Sequence, residues 1–123
     1  EFAKHPSGEN IITTGNLAII RDFVDVRDVV RAYLLLLKKG RSGEIYNICS
    51  GKGTKLEDII KKMSAILNIS IQTAVNPALM RPNENKKIIG SYTKIKNELG
   101  WQPEIPIEQS LADIIAYWQQ NIS

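Results

Sequence analysis

The sequence contains one cysteine, Cys49, and one histidine, His5, among its 123 residues. A single cysteine excludes an intramolecular disulfide, and the scarcity of both residues excludes a metal site built on cysteine and histidine clusters. A lone histidine near the amino end also excludes catalytic pairs that need histidine deep in the chain. We therefore expect neither a metal nor a disulfide framework. Because nothing in the sequence points to secretion, we expect a cytoplasmic location.

Long apolar runs and a large charge of one sign are also missing. The longest apolar runs, such as residues 32–37, are far shorter than the roughly 18 residues that a membrane span needs, so no membrane partner is expected. The 16 basic residues exceed the 13 acidic ones by three, which favours a solvated surface over nucleic-acid binding. With 43% hydrophobic residues, the composition is that of one globular domain.

The spacing of apolar residues in the first third of the chain predicts two strands and a helix. Residues 10–14 form a β-branched run, and residues 19–24 form a second candidate strand. Apolar residues at helical spacing predict a helix over 26–39. Asp25 stands at its N-cap position and Gly40 directly after its end.

The rest of the chain continues this alternation, which indicates an α/β fold. Residues 44–49 predict a strand that is apolar on both faces, and Thr54 with Glu57 predicts a capping box at the start of the next helix. Further elements are predicted at 69–73 (strand), 92–99 (helix) and from Ile107 onward (helix). Residues 1–9 are predicted to be a loop or tail, which leaves 10–123 as one structured region.

Two short motifs resemble functional signatures, but simpler explanations are available for both. Gly51, Gly53 and Thr54 lie where a phosphate loop would lie, yet their spacing is neither that of a Walker loop nor that of a dinucleotide-binding fold. Tyr92 and Lys96 have the Tyr-x-x-x-Lys spacing of a pair that handles a proton, and this spacing also arises by chance in a lysine-rich helix. We therefore predict no catalytic, cofactor-binding or metal-binding residue within the chain.

Two arginines and one glutamate are the candidate binding residues. Arg21 lies between a predicted strand and a capped helix, and Arg81 lies in the one long irregular segment of the sequence. Arg81 could hold a phosphate through two parallel hydrogen bonds while Glu84 accepts hydrogen bonds from hydroxyl groups. Taken alone, the residue pattern favours surface ion pairs for both arginines.

Several strings together resemble the carboxyl-terminal part of the extended short-chain dehydrogenase/reductase family, in its nucleotide-sugar branch. They are residues 15–17 (GNL), 21–33 (RDFVDVRDVVRAY), 43–53 (GEIYNICSGKG), 80–82 (MRP) and 99–103 (LGWQP). The resemblance implies the last part of a Rossmann-like fold, without the amino-terminal region that carries the family's glycine-rich cofactor loop and its catalytic Ser/Thr, Tyr and Lys. We expect a piece of a longer protein, whose predicted helix 26–39 and strand 44–49 need apolar cover from outside this chain.

The resemblance implies an NAD(P)-dependent reduction of GDP-4-keto-6-deoxy-mannose to GDP-rhamnose. Dehydration of GDP-mannose and a related epimerisation are alternatives within the branch. A stand-alone nucleotide-binding or interaction module, or a purely structural fragment, are alternatives outside it. The family's arginines that grip the diphosphate of the GDP-sugar correspond to Arg21 and Arg81, and its ribose-binding acid corresponds to Glu84. The resemblance also implies NAD or NADP bound outside this chain, and a homo-oligomer for the intact enzyme.

Overall fold

The computed structural model describes residues 10–121, in which short strands alternate with helices. The strands are β1 (Asn10–Thr14), β2 (Ile20–Asp22), β3 (Gly53–Lys55) and β4 (Ile71–Val75); the helices are α1 (Val26–Lys39), α2 (Leu56–Leu67), α3 (Thr93–Leu99) and α4 (Ile107–Asn121), with a short 3-10 helix at Pro77–Leu79. The predicted α/β class is confirmed. The predicted loop or tail over 1–9 lies outside the described residues.

Helix α1 begins and ends where the sequence predicts. The Asp25 carboxylate accepts a hydrogen bond from the backbone N–H of Arg27 at 2.8 Å, which satisfies a donor of the first turn that has no helical partner. The Arg27 side chain binds the same carboxylate, and its hydrogen bonds hold the pKa of Asp25 well below the usual range. At the other end, the backbone N–H of Gly40 donates to the Leu36 carbonyl.

Backbone pairing places β2 next to the irregular segment that follows the 3-10 helix. Strands β1 and β4 pair in parallel, with Thr14 opposite Val75, and strands β2 and β3 pair antiparallel, with Arg21 opposite Thr54. A parallel bridge joins Ile20 on β2 to Lys87. Arg21 therefore lies beside the segment that carries Arg81 and Glu84.

The most deeply buried part of the core forms where α1 and α3 pack around one indole ring. Ala32, Ile95 and Trp101 are at most 1% exposed. The partly buried side chains packed around them are Leu35, Leu36, Tyr46, Ile48, Tyr92 and Leu99. The Tyr92 ring meets the Trp101 ring edge to face, with ring centroids 6.0 Å apart. Tyr92 therefore contributes to the packing of this core.

Two predicted features are wrong. Residues 44–49 do not form a strand, because no backbone within 10–121 pairs with them. Thr54 and Glu57 do not form a capping box, because Thr54 lies in β3, where it pairs with Arg21 of β2, and α2 begins without a side-chain cap. Glu57 instead forms an ion pair with Lys61 at 2.6 Å.

The apolar faces of α1 and α4 are only partly covered. On α4, Leu111 and Ile115 are buried, whereas Ile114 and Trp118 are more than half exposed. On α1, an apolar stripe is 50–85% exposed and consists of Val26, Val30, Tyr33, Leu34 and Leu37. We call this set the α1 stripe. Among residues 10–121, no helix has both the length and the apolar character needed to cross a membrane.

Candidate nucleotide-binding cleft

A cleft of about 460 Å³ opens beside the carboxyl end of β1. Its walls come from three separate parts of the chain. The residues used below are Thr14, Gly15 and Asn16 from the end of β1, Arg21 from β2, and Leu79, Arg81 and Glu84 from the 3-10 helix and the segment after it. The structure thus brings the three candidate binding residues predicted from the sequence to one cleft.

Gly15 allows two walls of the cleft to approach closely. A Cβ atom on Gly15 would lie 2.7 Å from the carbonyl oxygen of Leu79, a backbone atom that no side-chain rotation can move. The Asn16 side chain accepts a hydrogen bond from the backbone N–H of Ala18 at 3.0 Å, which tightens the turn toward β2. The sequence predicts a turn at Gly15 and Asn16, but nothing local to them predicts the approach of Leu79, which comes from a distant segment.

Arg21 is held by three acceptors. Its Nη1 donates to the carbonyl oxygens of Ile20 and Asn85, both at 2.9 Å, and its Nη2 donates to Oε1 of Glu84 at 3.3 Å. The side chains of Arg21 and Glu84 are 25% and 18% exposed, so solvent screens their attraction less than at a free surface. A guanidinium has more N–H donors than three acceptors use, which leaves donors for a ligand.

Arg81 differs from Arg21 in both exposure and pairing. It is exposed, and it forms no ion pair with any other residue of the described range. Asn83 has a φ of 62°, a left-handed conformation that asparagine tolerates better than most residues, and it turns the chain between Arg81 and Glu84. The ion-pair interpretation therefore fits Arg21, which pairs inside the cleft, and does not fit Arg81.

Asp22 anchors the strand that carries Arg21. Its carboxylate accepts hydrogen bonds from the backbone N–H groups of Ser50, Gly51 and Gly90 at 2.7, 2.9 and 3.1 Å, and from the Ser50 hydroxyl at 2.6 Å. Both carboxylate oxygens are therefore used within the fold. The Gly51 N–H, which a phosphate loop would offer to its ligand, is occupied by this carboxylate.

Neither a metal-binding cluster nor a reactive cysteine occurs among the described residues. Within 10–121, no cluster of three or more histidine, cysteine, aspartate or glutamate side chains could hold a metal ion. Cys49 is buried, and burial raises the pKa of its thiol, as does the negative charge of Asp22. At neutral pH, Cys49 is therefore a protonated packing residue.

Comparisons with known sequences identify relatives of this chain. A family model described as GDP-mannose 4,6 dehydratase matches residues 3–114. GDP-6-deoxy-D-mannose reductase of Pseudomonas aeruginosa is 37% identical over 113 residues, which are 92% of this chain and 37% of the reductase. The dTDP-glucose 4,6-dehydratase of Haemophilus influenzae is 36% identical in an alignment of 115 residues that covers 85% of this chain and 34% of that enzyme.

Solved structures share the fold. RMD from Pseudomonas aeruginosa, complexed with NADPH, matches with a TM-score of 0.85 and 35% identity over 91% of this chain and 37% of its own. UDP-glucose 4-epimerase from Thermotoga maritima, with UDP-glucose, matches with a TM-score of 0.82 and 34% identity over 94% of this chain and 36% of its own. The chain thus spans little more than a third of the length of these relatives and has part of their Rossmann-like fold. It belongs to the GDP-mannose 4,6-dehydratase family of extended short-chain dehydrogenases/reductases.

Proposed function

We propose that this chain is the GDP-sugar-binding part of an NAD(P)-dependent reductase that converts GDP-4-keto-6-deoxy-mannose to GDP-rhamnose. The observation that carries the proposal is that Arg21, Arg81 and Glu84 line one cleft, although 63 positions separate Arg21 from Glu84. The 37% identity to the Pseudomonas reductase supports this choice of reaction within the family.

The chemistry of the cleft suits the diphosphate and ribose of a nucleotide sugar. Two guanidinium groups from separate segments can neutralise a diphosphate, and each can form two parallel hydrogen bonds to it. Arg81 forms no ion pair within 10–121, and Arg21 keeps donors beyond those its acceptors use. Glu84 uses Oε1 for Arg21, so its other oxygen can accept a hydrogen bond from a ribose hydroxyl.

The contribution of these residues to the reaction is to bind and orient the sugar. In the intact reductase, a reduced nicotinamide would supply the hydride and a tyrosine the proton that together turn the C4 ketone into an alcohol. In this proposal, the cofactor site and that tyrosine belong to the part of the family fold outside the chain. Tight binding of the nucleotide fixes the position of the sugar's ketone, which lowers the entropic part of the activation barrier.

A GDP-mannose dehydratase is the second candidate. The description of the matching family favours it, as does the 36% identity to the Haemophilus dehydratase. The sequence of the upstream reading frame distinguishes either enzyme from a stand-alone binding module. For an enzyme, we expect it to encode a glycine-rich strand-turn-helix followed by Tyr-x-x-x-Lys. The products of the intact enzyme then separate reductase from dehydratase, since only the reductase forms GDP-rhamnose from the 4-keto sugar.

Titration of the isotope-labelled chain with GDP, followed by NMR, tests the binding proposal directly. GDP is expected to shift the backbone signals of residues 14–16, 21 and 81–84 at lower concentrations than inorganic phosphate does. Phosphate is the matched control, because it offers charge without ribose or base. If GDP shifts none of these signals, or shifts only signals remote from the cleft, the proposal is wrong.

The chain alone should carry out no redox chemistry. It lacks a G-x-G-x-x-G loop, the feature that holds a dinucleotide in a Rossmann fold. The purified chain is therefore expected neither to bind NADPH nor to oxidise it with any nucleotide sugar, as measured by NADPH fluorescence and absorbance. Turnover by the chain alone would contradict this expectation and would make Tyr92 and Lys96 candidate catalytic residues.

A further inference from the structure

Arg21 joins β2 to a distant segment of the chain. Its Nη1 donates to the Asn85 carbonyl at 2.9 Å, and its Nη2 reaches Oε1 of Glu84 at 3.3 Å. The remaining acceptor, the carbonyl of Ile20 at 2.9 Å, belongs to β2 itself and fixes the guanidinium to its own strand. The Arg21 side chain is therefore a rigid bridge from β2 to residues 84 and 85.

The segment between Met80 and Lys86 has support mainly at its two ends. At one end, the Met80 N–H donates to the Pro77 carbonyl at 3.1 Å and closes the 3-10 helix. At the other, the Lys86 carbonyl accepts from the Ile20 N–H at 2.8 Å, where pairing with β2 begins. In between, the hydrogen bonds that join Glu84 and Asn85 to other described parts of the chain are both donated by Arg21.

We propose that Arg21 is a positioning residue for Glu84, in addition to being a ligand of the diphosphate. This inference rests on the proposed function and deepens it: one guanidinium couples the diphosphate end of the cleft to the ribose end. Arg81 has no such second role, because it is exposed and forms no ion pair within 10–121. The two arginines have the same charge. Replacing Arg21 should nevertheless weaken the binding of a ligand without phosphate, whereas replacing Arg81 should not.

The positioning role is tested first without any ligand. Backbone NMR relaxation of residues 82–86 is compared in the wild-type chain and in the variants Arg21→Ala, Arg21→Lys and Arg81→Ala. Both Arg21 variants are expected to increase the motion of Glu84 and Asn85. A single lysine nitrogen does not reproduce the two separated guanidinium nitrogens that bind Asn85 and Glu84. Arg81→Ala is expected to leave it unchanged. Unchanged motion in the Arg21 variants overturns the inference, and Arg21→Lys keeps the test available if Arg21→Ala does not fold.

The second arm compares guanosine with pyrophosphate as ligands. Guanosine has no phosphate, so it loses no direct contact when Arg21 is replaced. If Arg21 positions Glu84, Arg21→Ala and Arg21→Lys both weaken guanosine binding by about tenfold, the loss expected when one charge-assisted hydrogen bond is misplaced. Arg81→Ala should change guanosine binding less than about twofold while weakening pyrophosphate. Guanosine affinity that survives both Arg21 substitutions overturns the coupling.

A double-variant comparison with GDP covers the case in which guanosine binds too weakly to measure. The combined loss for Arg21→Lys with Glu84→Ala is expected to fall short of the product of the two single losses, because the first substitution already displaces the carboxylate that the second removes. Losses that multiply fully overturn the coupling. A wild-type chain that does not bind GDP contradicts the proposed function instead, and the relaxation experiment then decides the positioning role by itself.

Discussion

The Arg31–Asp28 pair and the Arg21–Glu84 pair differ in burial and in how fully their groups are satisfied. Asp28 is 1% exposed and accepts hydrogen bonds from Arg31 at 2.6 Å and from two backbone N–H groups of the loop before α4, both at 3.0 Å. The Arg21–Glu84 pair is 3.3 Å apart and partly exposed, and the unpaired Arg81 lines the same cleft.

The pKa of Asp28 shows how completely its charge is stabilised. Burial by itself raises the pKa of a carboxyl group, because the charged form loses hydration. Hydrogen bonds from Arg31 and from the N–H groups of Ile105 and Glu104 outweigh burial, so the pKa of Asp28 lies below its usual value. Fully satisfied charge thus ties α1 to the loop before α4, whereas incompletely satisfied charge lies where a ligand is proposed to bind.

Replacing Asp28 should have the largest effect on stability. The substitution Asp28→Ala leaves the backbone N–H groups of Glu104 and Ile105 without their acceptor and Arg31 without its buried partner. We expect a loss of about 2–4 kcal/mol in the free energy of unfolding, measured by urea denaturation. The matched control is Glu104→Ala, which removes the exposed partner of the same arginine and should cost about 0.5 kcal/mol or less. Equal losses in the two variants would show that the buried Asp28 contributes no more to stability than the exposed Glu104.

Replacing Arg81 should have the complementary effect, on binding and not on folding. A two-pronged, charge-assisted contact contributes about 1.5–3 kcal/mol, so Arg81→Ala should weaken GDP binding roughly ten- to a hundredfold. Arg81→Lys should recover only part, because a point charge does not replace the planar fork. Calorimetric titration measures both. If Arg81→Ala binds GDP as tightly as the wild type while Arg21→Ala does not, the diphosphate lies elsewhere and Arg81 is a surface charge.

Acid should weaken the fold through the same fully satisfied carboxylates. Asp25 and Asp28 both have folded-state pKa values below the ordinary 3.8. Their stabilisation is therefore fully present above the unfolded-state pKa and is lost as the pH falls through the lower folded-state pKa. Urea denaturation should give a free energy of unfolding that declines below about pH 4. The variant Asp28→Asn, which cannot titrate at this position, should lose less on acidification; an equal loss would exclude Asp28 as a cause.

Helix α1 depends on local sequence and was predictable from it. The bounds of α1 follow from helical apolar spacing together with Asp25 at one end and Gly40 at the other, all read within one segment. The prediction of a strand over 44–49 was wrong because a strand does not depend on local sequence alone. A strand exists only if another backbone pairs with it, and none within the described residues does so.

In the candidate site, too, local features were predictable and contacts between distant segments were not. Residue patterns alone favoured surface ion pairs for both arginines, and the resemblance to a family was needed to group Arg21, Arg81 and Glu84. The three do line one cleft, but the contact between Arg21 and Glu84 spans 63 positions and has no local signal in the sequence. The approach of Leu79 to Gly15 is likewise a contact between distant segments, which only the folded chain reveals.

Substitutions in the α1 stripe should cause the smallest change in stability. They should also contrast with substitutions on the buried face of the same helix. Exposed apolar residues at helical spacing should bind a hydrophobic dye or cause the chain to associate. Leu37 is 85% exposed, so Leu37→Glu should reduce dye fluorescence while changing the free energy of unfolding by less than about 0.5 kcal/mol. Leu36 packs against the core cluster, so Leu36→Glu on the adjacent position should destabilise the fold instead. A wild-type chain that is monomeric, unfolds sharply and binds no dye would show that this stripe needs no cover from the rest of the family fold.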